Sequence, residues 1–223
     1  MSEFNAKKYF NTISSIYKKN EVISLGFTTF FRKKMIFKLN NRNNLDILDV
    51  MCGTGENIKI VLANKIARKI TGVDFSEEMN KMAQKNIQNN KVDFICNDYF
   101  ETNFQNNKFD AIMCSFGIKH LSDQQISKLV TKTVQLLNFD GEILILELVK
   151  PNNKIVQLVL NLYLKYFLSL IFNEYFKPLY PVIVNFKNMD DIKEKFISYN
   201  LITISHNRYC DLFEILHLKK IKN

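Results

Sequence analysis

The feature that most constrains the fold of this 223-residue chain is a rhythm between residues 45 and 148. "LDILDV" is followed by "GENIKIVLANKI", "KITGVDF" by a helix after Ser76, then come "VDFICND", "FDAIMCSF", "QQISKLVTKTVQLL" and "EILILEL". Apolar residues recurring at about 3.6 positions mark a helix, and short unbroken apolar runs mark buried strands. Parallel neighbours need a long crossover, usually a helix, and such crossovers are right-handed. The reading is an α/β fold whose mostly parallel sheet carries helices on both faces. Ser76 is an N-cap by type, with Glu77 and Glu78 in the first turn, where the helix dipole favours carboxylates.

In open α/β sheets, ligands bind beyond the carboxyl ends of the strands. Polar or glycine-rich turns fall there at 53–55, 74–75, 97–99 and 115–120. In "DVMCGTGENI", Gly53 and Gly55 occupy a strand-to-helix corner where glycine permits positive φ and close approach of a ligand. A dinucleotide loop would carry a third glycine where Ile58 stands, and a triphosphate loop would need Lys followed by Ser or Thr. Asp49 in the corner suits a ligand with an ammonium better than one with phosphates. Asp74, nineteen residues past Gly55, ends the second strand, where a carboxylate can hold ribose hydroxyls. Asp98 ends the third strand and can accept from an adenine amino group. An amino acid, a ribose and an adenine together describe S-adenosylmethionine.

On these residues the chain resembles the class I S-adenosylmethionine-dependent methyltransferases over about 45–148. The resemblance implies a Rossmann-like, mostly parallel seven-stranded sheet, with N-terminal helices and a helical lid inserted after strand five. It implies that Asp49, Gly53 and Gly55 hold the methionine and ribose portion and that Asp74 holds the ribose diol. Phe75 and Met79 would lie beside the adenine, Asp98 and Tyr99 would contact it, and Ser115 would border the methyl group.

"SFGIKHLSD", "LELVKP" and "SLGFTTFFRK" narrow the resemblance to enzymes that C-methylate quinols in ubiquinone and menaquinone biosynthesis. Two signatures depart from that family. Tyr17-Lys18, Ser24, Thr28 and Phe31 stand where it has Tyr-Asp, Ser, His and Trp, and "QLLNFDG" replaces Arg-Val-Leu-Lys-Pro-Gly-Gly. Lys119 and His120 replace an Arg and an Asn. The resemblance implies a small lipophilic aromatic acceptor, with Tyr17, Phe116 and Lys119 lining its site. His120 is the candidate general base, since imidazole titrates near neutrality. O- or N-methylation of a specialised metabolite, and a non-catalytic cofactor-binding subunit, are the rival readings.

The rest of the chain reads as parts of one domain. Residues 1–40 form a helical cap, with Tyr9, Phe10, Ile13, Ile16 and Tyr17 near one face. Residues 151–188 form an aromatic and aliphatic substrate lid, and 189–223 a helix and a strand pair. Asn161, Lys165 and Glu174 interrupt the lid, so no apolar run reaches the length of a membrane span. The net charge of +9 is spread without any nucleic-acid-binding motif, so no nucleic-acid partner is expected. Contact with an acidic membrane surface and homo-oligomerisation are compatible with it. Four cysteines without a CxxC pair, and three histidines without metal-ligand spacing, imply neither a disulfide framework nor a metal, and a reducing cytoplasm is the simplest setting. Cys52 reads as packed rather than nucleophilic, and His206 and His217 as structural.

Overall fold

The computed structural model describes Ser24, residues 26–167, 179–186 and 188–221. The expected helical face at Tyr9, Phe10, Ile13, Ile16 and Tyr17 lies outside these residues. Five strands run parallel: β1 (Leu45–Val50), β2 (Ala67–Asp74), β3 (Val92–Cys96), β4 (Phe109–Ser115) and β5 (Leu137–Leu148). β6 (Leu201–Tyr209) and β7 (Phe213–Lys220) complete one seven-stranded sheet in the order β3-β2-β1-β4-β5-β7-β6, with β7 antiparallel to both neighbours. The order reverses between β1 and β4, which opens a crevice at their carboxyl ends.

Both faces of the central strands are buried, which is why their sequences are apolar without alternation. Leu48, Val50, Ile112, Ile143 and Ile145 pack on α4 (Asp123–Leu136) and α7 (Met189–Ile197). Ile47, Ala111, Met113, Leu144 and Leu146 form a second core with α1 (Phe27–Ile36) and α2 (Glu56–Asn64). α1 is anchored by aromatic contact: Phe31 stacks on Phe213 of β7 with ring centroids 4.3 Å apart, and Tyr209 lies 5.4 Å away. Such ring pairs stabilise beyond the area they bury. Ser76 caps α3 (Glu77–Asn86), its Oγ accepting from Met79 N–H, and Ser122 with Gln125 closes a reciprocal capping box on α4.

The strand expected at "EILILEL" starts earlier in the chain than its apolar run. α4 ends at Leu136 and β5 begins at Leu137. Leu137 pairs with Phe109 and Glu142 with Ala111, so the residues between them bulge out of the ladder. Asp140 takes a positive φ of 61° there, Asn138 Nδ2 donates to Asp110 Oδ1, and Arg42 Nη1 donates to the Asp140 carbonyl. The polar residues that look like a loop are thus satisfied inside an irregular strand. Beyond β5 the described parts of the expected lid are α5 (Lys154–Leu162), a π-helical turn (Tyr163–Phe167) and α6 (Leu179–Asn185).

Candidate active site

A cavity of about 430 Å3 opens at the carboxyl ends of β1 to β4. Its walls include Gly53, Asp74, Phe75, Met79, Asp98, Tyr99, Ser115, Phe116 and His120, which the four strand-end turns bring together from separate parts of the chain. Asp49 lies fully buried on β1 beneath the corner.

The corner turns by successive left-handed residues: Met51, Gly53 and Gly55 have φ of 57°, 54° and 81°. Glycine serves two different needs here. At Gly55 an added Cβ would lie 2.5 Å from Ile87 Cδ1, so α2 sits tight on its neighbours. At Gly53 an added Cβ would meet no protein atom within 4 Å, so it is the positive φ that favours glycine there, with open space beside it. Gly53 N–H donates to Asp74 Oδ2 at 2.8 Å and Ser76 N–H to Asp74 Oδ1 at 2.9 Å. The carboxylate is fixed at the rim, each oxygen keeping a second lone pair for a hydroxyl. Burial raises the pKa of Asp74, partly offset by these two N–H bonds.

Two residues linked by hydrogen bonds to Asp49 and Ser115 were not legible in the sequence. Asn57, in the first turn of α2, donates from Nδ2 to Asp49 Oδ1 at 2.8 Å. Its Oδ1 accepts from Arg32 Nη1 at 2.8 Å and from Ser115 Oγ at 3.2 Å. Arg32, nearly buried on α1, also stands over the Phe116 ring, 4.8 Å from its centroid. The only sequence signal for Arg32 is that it shares a helical face with Met35 and Ile36. Asp49 Oδ2 is buried without a hydrogen-bond partner among the described residues. Burial pushes the Asp49 pKa up to about 7, against the pull of the Asn57 bond and the Arg32 charge. An unmatched buried carboxylate oxygen fits the ammonium of an amino-acid ligand.

The other candidate residues are placed as follows. Phe75 and Met79 line the cavity below Asp74 in sequence, and Asp98 stands exposed at its edge with Oδ1 accepting from Phe100 N–H. Tyr99 contributes to the wall, but its hydroxyl meets Thr133 Oγ1 of α4 at 3.1 Å, and burial raises its pKa. His120 lines the cavity, and burial together with the Lys119 charge pushes its pKa down to about 2. Cys52 is buried and its thiol pKa is raised by desolvation, the opposite of an activated nucleophile. Tyr17 lies outside the described residues.

Lys119 does not border the cavity. Its ammonium lies 2.8 Å from Glu147 Oε1 and 2.5 Å from the Phe116 carbonyl, while its N–H donates to Glu147 Oε2. Both side chains are almost inaccessible, so removing one leaves the other's charge buried. Lys119→Met is expected to cost about 3 kcal/mol of unfolding free energy in urea titration. A loss below about 1 kcal/mol would show that Glu147 tolerates burial without its cation.

A doubly wound sheet of this strand order, with a glycine corner and acidic residues at three strand ends, two of them lining one cavity, defines a class I S-adenosylmethionine-dependent methyltransferase. The model of the ubiE/COQ5 methyltransferase family matches residues 1–208. A demethylmenaquinone methyltransferase of Thermotoga maritima is 28% identical over 151 residues, covering 67% of this chain. That match spans 64% of the Thermotoga enzyme, just under two thirds of its length. A demethylmenaquinone methyltransferase of Staphylococcus aureus is 24% identical over 220 residues, 95% of this chain and 90% of that enzyme. Among solved structures, Haemonchus contortus phosphoethanolamine N-methyltransferase 2 with S-adenosyl-L-methionine shares the fold, with a TM-score of 0.64 at 16% identity. The likeness covers 86% of this chain and 52% of that one. The chain belongs to the ubiE/COQ5 methyltransferase family. It is a methyltransferase, and S-adenosylmethionine is its methyl donor.

Proposed function

We propose that the enzyme methylates a ring carbon of a lipophilic, quinol-like aromatic acceptor. The observation that carries this reading is the make-up of the cavity wall after β4. Phe116, Gly117, His120 and Leu121 form it with Met51, whose sulfur would lie 2.6 Å from a Cβ at position 117. This wall is mostly apolar, with Ser115, the His120 imidazole and Gln125 as its polar groups, and suits a ring bearing a hydroxyl. The names of the two relatives point to the same acceptor class.

The bound donor supplies an electrophilic methyl group. Asp49 and the amide of Asn57 hold the amino-acid end, Asp74 the ribose hydroxyls, and Phe75, Met79 and Asp98 the adenine side. Ser115 lines the cavity and donates to Asn57 Oδ1, and in this reading it borders the methyl group. His120 is neutral at every working pH, so it orients the ring hydroxyl by a hydrogen bond rather than storing its proton. α6 covers the acceptor, consistent with its contact with the turn Ile118–His120. Excluding water there strengthens the attraction between an electron-rich ring and the donor's positive charge.

The test is product analysis. The protein is incubated with isotope-labelled S-adenosylmethionine and a panel of prenylated quinols, phenols and amines. Label on a ring carbon ortho to a hydroxyl is the expected result. Label on oxygen or nitrogen overturns the acceptor assignment, and donor binding without turnover of any acceptor indicates an accessory subunit.

A further inference from the structure

We propose that α5 is a docking surface for an anionic phospholipid bilayer. Leu160 and Leu164 already seat this helix and the turn after it, packing on Ile183, Leu148 and Leu212. One buried stripe is what a surface helix needs. This one carries a second. Ile155, Leu158, Val159, Leu162 and Tyr166 are between 46% and 71% exposed, and their spacing puts them on a single face turned from the core. An apolar stripe of that size on a protein surface marks an interaction.

Charge selects the occupant. Lys150, Lys154 and Lys165 are exposed along this segment, and no aspartate or glutamate occurs between Val149 and Asn173. A basic flank beside an apolar face is the arrangement of helices that lie in the plane of an anionic interface. A second copy docked on the stripe would bring lysines against lysines, whereas acidic headgroups neutralise them. Among the described residues no helix is long and apolar enough to cross a membrane, so the contact is peripheral. α5 departs from the carboxyl end of β5, the end of the sheet at which the cavity opens. Docking therefore brings the cavity close to the lipid, and this last consequence rests on the lipophilic-acceptor reading.

The test measures partitioning of the full chain onto vesicles by flotation, with no acceptor present, so that failure of the acceptor assignment leaves its outcome unaffected. Phosphatidylglycerol-containing vesicles are expected to bind at least about tenfold more tightly than pure phosphatidylcholine, and salt is expected to weaken the binding. The double variant Leu158→Glu/Val159→Glu is expected to lower that affinity by about tenfold or more. Lys154→Glu/Lys165→Glu is expected to erase the preference for anionic vesicles. Unchanged circular dichroism and unchanged S-adenosylhomocysteine affinity establish that these variants are folded. Equal binding to both vesicle types, or wild-type partitioning by the Leu158/Val159 variant, overturns the proposal. So does a wild-type dimer in light scattering that Leu158→Glu dissolves, which would make a second copy the occupant.

Discussion

Asp49→Asn is expected to weaken S-adenosylmethionine binding about a hundredfold and to abolish its dependence on pH. The substitution keeps the size of the side chain and an oxygen for Asn57 Nδ2, which now lies 2.8 Å from Asp49 Oδ1. It removes the charge that a buried ammonium requires, and losing one member of a desolvated charge pair typically costs a few kcal/mol, or about two to three powers of ten in affinity. The groups facing Asp49 are Asn57 and Arg32, which favour its ionised form, and Asp74, which opposes it; desolvation outweighs them all and sets the pKa at about 7. Below that pH the free protein holds a proton that the ammonium must displace. Affinity in the native protein therefore rises about tenfold between pH 6 and pH 8, as the carboxyl ionises, and is flat in the variant. Stability runs the other way. A carboxyl raised in the folded state binds a proton there that the unfolded chain has released, so the ligand-free enzyme loses stability as pH rises from the ordinary carboxylate range to about 7. Asp49→Asn is expected to melt higher than the native protein at pH 8 while binding its donor poorly. Calorimetric titration and thermal melts across pH check both statements, and unchanged donor affinity would remove Asp49 from the site.

The second large effect is expected at Arg32. Arg32→Met deletes the donor that holds Asn57 Oδ1 at 2.8 Å and the cation over Phe116. Asn57 can then rotate its amide, and Asp49 loses the partner that fixes its orientation. A hydrogen bond from a charged donor is worth about 1.5–3 kcal/mol. The expected result is a rise in KM for S-adenosylmethionine of about ten- to a hundredfold, with a smaller change in kcat. Arg32→Lys restores the charge without the planar fork, and is expected to recover only part of the loss. A variant that loses kcat at native KM would place Arg32 at the acceptor instead.

These two residues also show where sequence reasoning stops. The strand ends at Asp49, Asp74 and Asp98 were legible because each comes at the end of a short apolar-rich run, and chain order then places them side by side. Gly53 and Gly55 were legible because their type answers a backbone demand. Arg32 and Asn57 carry no such mark. Arg32 sits among Phe30, Phe31, Lys33 and Lys34, and only the docking of α1 on the sheet decides which cation is buried. Asn57 is one of several polar residues opening a helix. Glu147 offered a signal, a carboxylate inside an apolar strand, yet its pairing with Lys119 depends on how β5 meets the turn after β4. The extension of β5 back to Leu137 was hidden for another reason, since a bulge built from Asn138, Asp140 and Gly141 has the composition of a loop.

The stacking of Phe31 on Phe213 sets a schedule for the enzyme's maturation. Arg32 reaches Asn57 only when α1 is seated, and Phe31 of α1 packs on rings supplied by Tyr209 and Phe213. Tyr209 ends β6 and Phe213 begins β7, both made long after the glycine corner has left the ribosome. A nascent chain can therefore hold the corner and all three acidic strand ends and still lack a finished donor seat. The ring packing beside Arg32 is thus completed only with closure of the sheet.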